Sequence, residues 1–74
     1  MTSRYITTYS KVTVKIGRLS RRFILVPSTE IDVRDGKISI DSPVGKALLN
    51  KMVKDKVSVR TPIGDQQMQI VDII

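Results

Sequence analysis

The chain has 74 residues, no cysteine and no histidine, and 13 basic against 7 acidic side chains, a formal charge of +6. That length sets one small domain, which buries only about 60% of the surface its unfolded chain exposes, with no disulfide or thiolate metal site to brace it and without the side chain most used for metal ligation and general-base work near neutral pH. No apolar run approaches the ~20 residues needed to cross a bilayer, and the N-terminal MTSRYITTYS has no apolar signal core, so the expectation is a soluble, cytoplasmic protein with no membrane contact.

Residues 1–9 show no hydrophobic period and are rich in Thr and Ser, which predicts a loose N-terminal arm ahead of a single domain over 10–74. Val12, Val14 and Ile16 alternate with Lys11, Thr13 and Lys15, the pattern of a half-buried strand. Gly17 to Ser20 reads as a hairpin connection. Phe23 to Val26 is apolar almost throughout, which suits a strand covered on both faces. Pro27-Ser28-Thr29 ends it, because Pro cannot continue a central ladder. Glu30 to Asp35 reads as either a short edge strand or an extended loop. Asp35-Gly36 is a turn signal leading into a strand over Lys37–Ile40.

The stretch ISIDSPVGKALLNKM, from Ile38 to Met52, organises the rest. Ile38 and Ile40 alternate with Ser39 and Asp41. Asp41 or Ser42 can cap a helix, and Pro43 fits its first position because no N–H is needed there. Val44, Ala47, Leu48 and Met52 then form an apolar stripe at helical spacing, and Asn50 is a candidate left-handed terminator. A strand therefore passes directly to a short helix, and the exposed corner Asp41-Ser42-Pro43, with Lys46 one turn on, is the best candidate for a working surface.

Val53-Lys54-Asp55 makes the next connection. Val57 and Val59 alternate with Lys56, Ser58 and Arg60 in another strand. Pro62-Ile63-Gly64-Asp65 is a turn, and a last strand runs from about Gln66 to Ile73. Its phase slips between Ile70 and Val71, which predicts a bulge or burial on both faces. Being last, it could stand exposed at an edge and pair in a dimer. The sum is an α+β fold: a mostly antiparallel sheet of about five strands with one short helix packed on it.

These residues resemble the C-terminal domain of the bacterial Gre transcript-cleavage factors, GreA and GreB. Glu30 and Asp32 match one family segment. Gly36, Ile38, Ser39, Ser42, Pro43, Gly45, Ala47, Leu48 and Lys51 match its specific I-S-x-x-S-P-x-G-x-A-L run. Asp55 and Val57, then Thr61, Pro62 and Gly64, match the remainder, so that the likeness covers roughly residues 11 to 74. Pro27, Asn50 and Lys54 stand where the family has Gly, and Ile31 where it has Ala. The resemblance implies an FKBP-like fold that docks on RNA polymerase, at the rim of the secondary channel on the largest catalytic subunit, with the corner at Asp41, Ser42 and Pro43 as part of the docking surface. Gre factors carry the cleaving residues on an N-terminal coiled coil. The nine residues expected to form an arm here do not supply one, so the expectation is a non-enzymatic module that modulates elongation or competes with Gre factors.

Three other features bear on function. Lys11, Lys15, Arg18, Arg21 and Arg22 form a basic group on the first hairpin, either a solvated face that blunts a strand edge or a contact for nucleic acid or an acidic protein surface. With only Tyr5, Tyr9 and Phe23 as platforms, base stacking on single strands is disfavoured. Glu30, Asp32 and Asp35 lack the spacing of a calcium loop and read as turn and surface acids, with Glu30 a candidate brace for the loop under the helix. An FKBP-like fold also admits prolyl isomerisation, but that activity needs a deep apolar pocket, usually aromatic-lined. No metal and no cofactor is expected.

Overall fold

The alternating stretches fold as strands. A computed structural model of the chain describes residues 5–74, with the backbone alone described at Thr61. β1 is Lys11–Ile16, β2 Leu19–Val26, β3 Lys37–Ser39, β4 Lys56–Thr61 and β5 Gly64–Ile73; the helix α1 is Pro43–Leu48. The five strands form one sheet in the order β3-β2-β1-β5-β4. β2 and β3 run parallel, and the other neighbours are antiparallel. The α+β expectation of a mostly antiparallel sheet under one short helix therefore holds.

The two hairpins follow from their turn residues. Gly17, at φ 60°, opens a two-residue connection from Ile16 to Leu19, the conformation that suits the twist of the flanking strands. Pro62-Ile63 joins β4 to β5, and Gly64 at φ 116° takes the position beyond it, so the turn is tighter than the four residues predicted. The phase slip near the end of the chain is a bulge. Val12 faces Ile73 and Thr13 faces Asp72, but Val14 faces Ile70, so Val71 is the extra residue. It is half exposed while Ile70 and Ile73 stay buried. The extra residue lets both isoleucines face the core although they are three apart.

The core gathers Val12, Val14, Leu25, Leu48, Val57, Val59, Met68, Ile70 and Ile73. It also includes Ile6, which is fully buried. The loose arm expected over 1–9 is thus packed where it is described. Ile6 donates its N–H to Lys51 O (2.9 Å) and accepts from Asn50 N (2.9 Å), and Tyr9 N donates to Leu25 O (2.6 Å). Burying one such side chain contributes about 1.5–3 kcal/mol. Residues 1–4 lie outside the described residues.

The same pairing explains why α1 stops at Leu48 rather than reaching Met52. Leu49 turns out at ψ 136°, Asn50 takes φ 66°, and Lys51 N closes the turn onto Leu48 O at 3.1 Å. Asn50 is left-handed as its chemistry suggested, and the N–H that would have extended the helix goes to Ile6 instead. Lys54 is also left-handed, at φ 79°, in a turn closed by Asp55 N to Met52 O. Both residues stand where the Gre pattern has Gly, and both adopt the conformation that Gly takes without strain.

Two further expectations are corrected. Glu30 to Asp35 is neither strand nor extended loop. It forms two 3₁₀ turns, Ser28–Glu30 and Val33–Asp35, linked to β3 by one bridge between Asp32 and Lys37. Asp32 caps the second by accepting from Arg34 N and Asp35 N, and such local bonds outcompete a ladder. The last strand is no edge. β5 lies between β1 and β4, and the edges are β3 and β4.

Candidate functional site

The corner at the end of β3 is built from serines. Ser42 is the N-cap: its Oγ accepts from Gly45 N at 3.0 Å and donates to Ser39 O at 2.7 Å. Pro43 fills the first helical position. Ser39, buried at the strand end, accepts from Asp41 N through its Oγ at 2.9 Å. Asp41 lies one residue before the cap and stays exposed. Ser28 Oγ, reaching from the first 3₁₀ turn, donates to Asp41 Oδ2 at 3.0 Å. The other carboxylate oxygen accepts no hydrogen bond from a described residue.

Gly45 makes the corner this tight. A Cβ there would stand 2.0 Å from Ser39 O and 3.0 Å from Ile40 Cα. Only glycine lets the helix lie directly on the strand end. Val44, Ala47 and Leu48 then pack on the core, and Lys46 projects exposed from the opposite side. The structure thus brings Asp41, Ser42, Pro43 and Lys46 together on one small projection. Ser28 and Ser39 were missed as its supports. Ser28 is contributed by a distant turn, and Ser39 looked like an ordinary strand residue.

The basic group does not form one patch. Cross-strand partners share a face. Lys11 lies opposite Ile24, Arg22 opposite Thr13 and Lys15 opposite Ser20, all on the sheet face away from the core residues Val12 and Val14. Arg21 lies opposite Val14 and shares the core-side face, and Arg18 sits in the hairpin turn. Register adds a lysine that sequence reasoning did not include. Gln69 lies between Lys15 on β1 and Lys56 on β4, so one row across the sheet carries two cations.

The three acids play separate structural parts. Asp32 caps a turn, Asp35 lies beside it, and Glu30 accepts a 2.5 Å hydrogen bond from the hydroxyl of Tyr9. This ties the N-terminal segment to the turn that carries Ser28. The bond to Glu30, with some desolvation and the carboxylate's charge, holds the Tyr9 phenol above its ordinary value. Among the described residues no three acids converge as metal ligands would, and no helix is long and apolar enough to cross a membrane.

Residues 1–74 match the family described as "Transcription elongation factor, GreA/GreB, C-term". The chain is 46% identical over 66 residues to transcription elongation factor GreA of Roseiflexus sp. (strain RS-1), a match covering 86% of this chain and 42% of that protein. Its fold is similar to the crystal structure of Thermus aquaticus Gfh1, with TM-score 0.89 and 33% identity over 97% of this chain and 49% of that one. It is also similar to the prokaryotic transcription elongation factor GreA/GreB from Nitrosomonas europaea, with TM-score 0.81 and 28% identity over 99% of this chain and 62% of that one. This chain therefore spans about half the length of the proteins it matches. It belongs to the GreA/GreB transcription elongation factor family and corresponds to that family's C-terminal domain.

Proposed function

We propose that this chain is a cytoplasmic, non-enzymatic RNA polymerase-binding module that docks through Asp41, Ser42, Pro43 and Lys46 at the rim of the secondary channel, on the largest catalytic subunit. Binding there modulates elongation and competes with Gre factors for the same place. One observation carries it: Asp41 is exposed, yet its backbone N–H, its neighbour's hydroxyl and one carboxylate oxygen are all held by Ser39 and Ser28. A carboxylate immobilised this way meets a partner arginine with little ordering cost.

The test measures affinity for purified bacterial RNA polymerase beside thermal stability. Asp41→Ala is expected to weaken binding about tenfold, the scale of one charge-assisted contact, and to move Tm by only a few degrees. Unchanged affinity removes Asp41 from the interface. Excess protein is expected to slow Gre-dependent transcript cleavage, and cleavage at full rate contradicts competition.

A second reading is favoured by the cation row. Lys11, Lys15, Arg22 and Lys56 share one sheet face and suit a phosphate backbone. Binding of duplex or RNA oligonucleotides through that face falls steeply with salt, and no binding at low salt dismisses it. The isomerase alternative has less support, because Tyr5 and Tyr9 are both exposed and the groove beside β2 has Phe23 as its single aromatic.

A further inference from the structure

At the other end of β3 lies an open groove of about 460 Å³, the size range of ligand sites. Phe23 and Ile38 form its floor and continue into the core. Val33, which is 80% exposed, and Arg34 form one wall on the second 3₁₀ turn, and Arg21 forms the other on β2. The floor is uncovered because α1 is only six residues long and packs over β4 and β3. It cannot reach the first half of β2.

The groove also exposes an unpaired strand edge. β2 runs from Leu19, but β3 pairs with it only over Ile24–Val26. Leu25 N donates to Ser10 O on the β1 side, while Ile24 N donates to Gly36 O on the β3 side. By the same alternation the backbone groups of Ser20 and the N–H of Arg22 face the groove, while Arg22 O lies against Gly36, where a Cβ would stand 2.9 Å from it. Arg21 and Arg34 make no ion pair with a described residue; the ion pair among the described residues joins Arg60 on β4 to Asp65 on β5 at 3.8 Å, away from the groove.

We propose that this edge takes an extended acidic segment of a protein partner by strand addition. The partner's backbone pairs with Ser20 and with the N–H of Arg22. Side chains two apart face the same side of an added strand, so one aliphatic residue covers Phe23 and Ile38 while an acidic one meets Arg21. Arg34 on the opposite wall accepts a second carboxylate in its planar fork. Charge selects the occupant. A second copy of this chain would bring its own Arg21 and Arg22 against these, and like charges oppose that pairing. A continuous phosphate chain would run past the carboxylate of Asp35 on the same wall. The proposal stands independently of the polymerase-docking corner.

The experiment titrates the full chain with the peptide SESLSES and follows backbone amide resonances. Shifts are expected at Ser20, Arg22, Phe23 and Arg34, with slowed hydrogen exchange at Ser20 and Arg22. Arg21→Ala with Arg34→Ala, both exposed positions, is expected to weaken binding about tenfold or more, on the scale of one lost charged pair. Val33→Ser weakens it a few fold, and Asp41→Ala leaves it unchanged. Equal binding of SESSSES would reduce the effect to bulk charge and overturn the proposal. So would tighter binding of oligouridylate at the same residues, or unprotected amides at Ser20 and Arg22.

Discussion

The two ends of β3 carry opposite kinds of surface. At its C-terminal end the corner is saturated. Ser39, Ser42 and Ser28 use their hydroxyls on one another and on Asp41, and Gly45 closes the helix onto the strand. At its N-terminal end the groove is unsaturated, with two arginines unpaired among the described residues, an apolar floor and a strand edge that β3 pairs only from Ile24 on. The difference comes from how far the helix reaches. Six residues rise about 9 Å, enough to cover one end of a short strand and not the other. A preformed corner suits a contact that needs fixed geometry. An open edge suits a partner that brings its own.

The sharpest way to break this contrast is Gly45→Ala. The added methyl meets backbone, which cannot swing away, so the helix must lift off the strand. We expect a loss of about 3 kcal/mol, the upper range for overpacking, read as a fall in denaturant midpoint. Ser20→Ala on the exposed strand at the groove should by contrast cost almost nothing. A neutral Gly45→Ala would show that the corner is not held by close approach.

Next in size is Ser42→Ala. It removes the cap to Gly45 N and the bond to Ser39 O together, for about 1–2 kcal/mol. In a domain this size that lowers Tm by about 4–8 °C per kcal/mol, measurable by calorimetry. Arg34→Ala at the groove should leave Tm within a degree or two.

Lys54→Gly should act in the other direction. A left-handed conformation costs a side-chain-bearing residue about 1–2 kcal/mol, and glycine returns part of that to the flexibility of its unfolded chain. The expected net gain is about 0.5–1 kcal/mol by chemical denaturation, and a loss would mean that the lysine side chain makes up for its strain. Asn50→Gly should gain less, since Asn tolerates this region better.

The smallest effect concerns the Tyr9–Glu30 tie behind the corner. Because the phenol's value is raised, the bond is intact below the ordinary tyrosine range and lost as pH rises through the raised value. In a Tyr5→Phe background, tyrosinate absorbance should titrate above pH ~10, and Glu30→Gln should bring it back toward that ordinary value. Titration unaffected by Glu30→Gln would detach Tyr9 from the corner's support.

Alternation and turn chemistry made much of this legible. The strand at Val12–Ile16, the slip at Val71, the left-handed Asn50 and the Asp-Ser-Pro corner each depend on residues adjacent in the chain. A side chain's face, a cap or a positive φ is decided within a few residues. Ile6 was not legible. A lone isoleucine among threonines and tyrosines carries no period, and only the approach of residues 50–51 reveals its place. For the same reason Met52, which the apolar spacing placed on the helix, lies beyond its end at Leu48.

Local chemistry by itself determined the strands, the capped corner and the family likeness. The tertiary structure alone decided that the basic hairpin splits across two faces, that Lys56 joins Lys15 across the sheet, and that β2 keeps an open edge above Phe23. Those facts depend on register and strand order, which come from the combined packing of segments far apart in the chain. Shifting one strand by a residue would exchange its faces while leaving every local pattern unchanged.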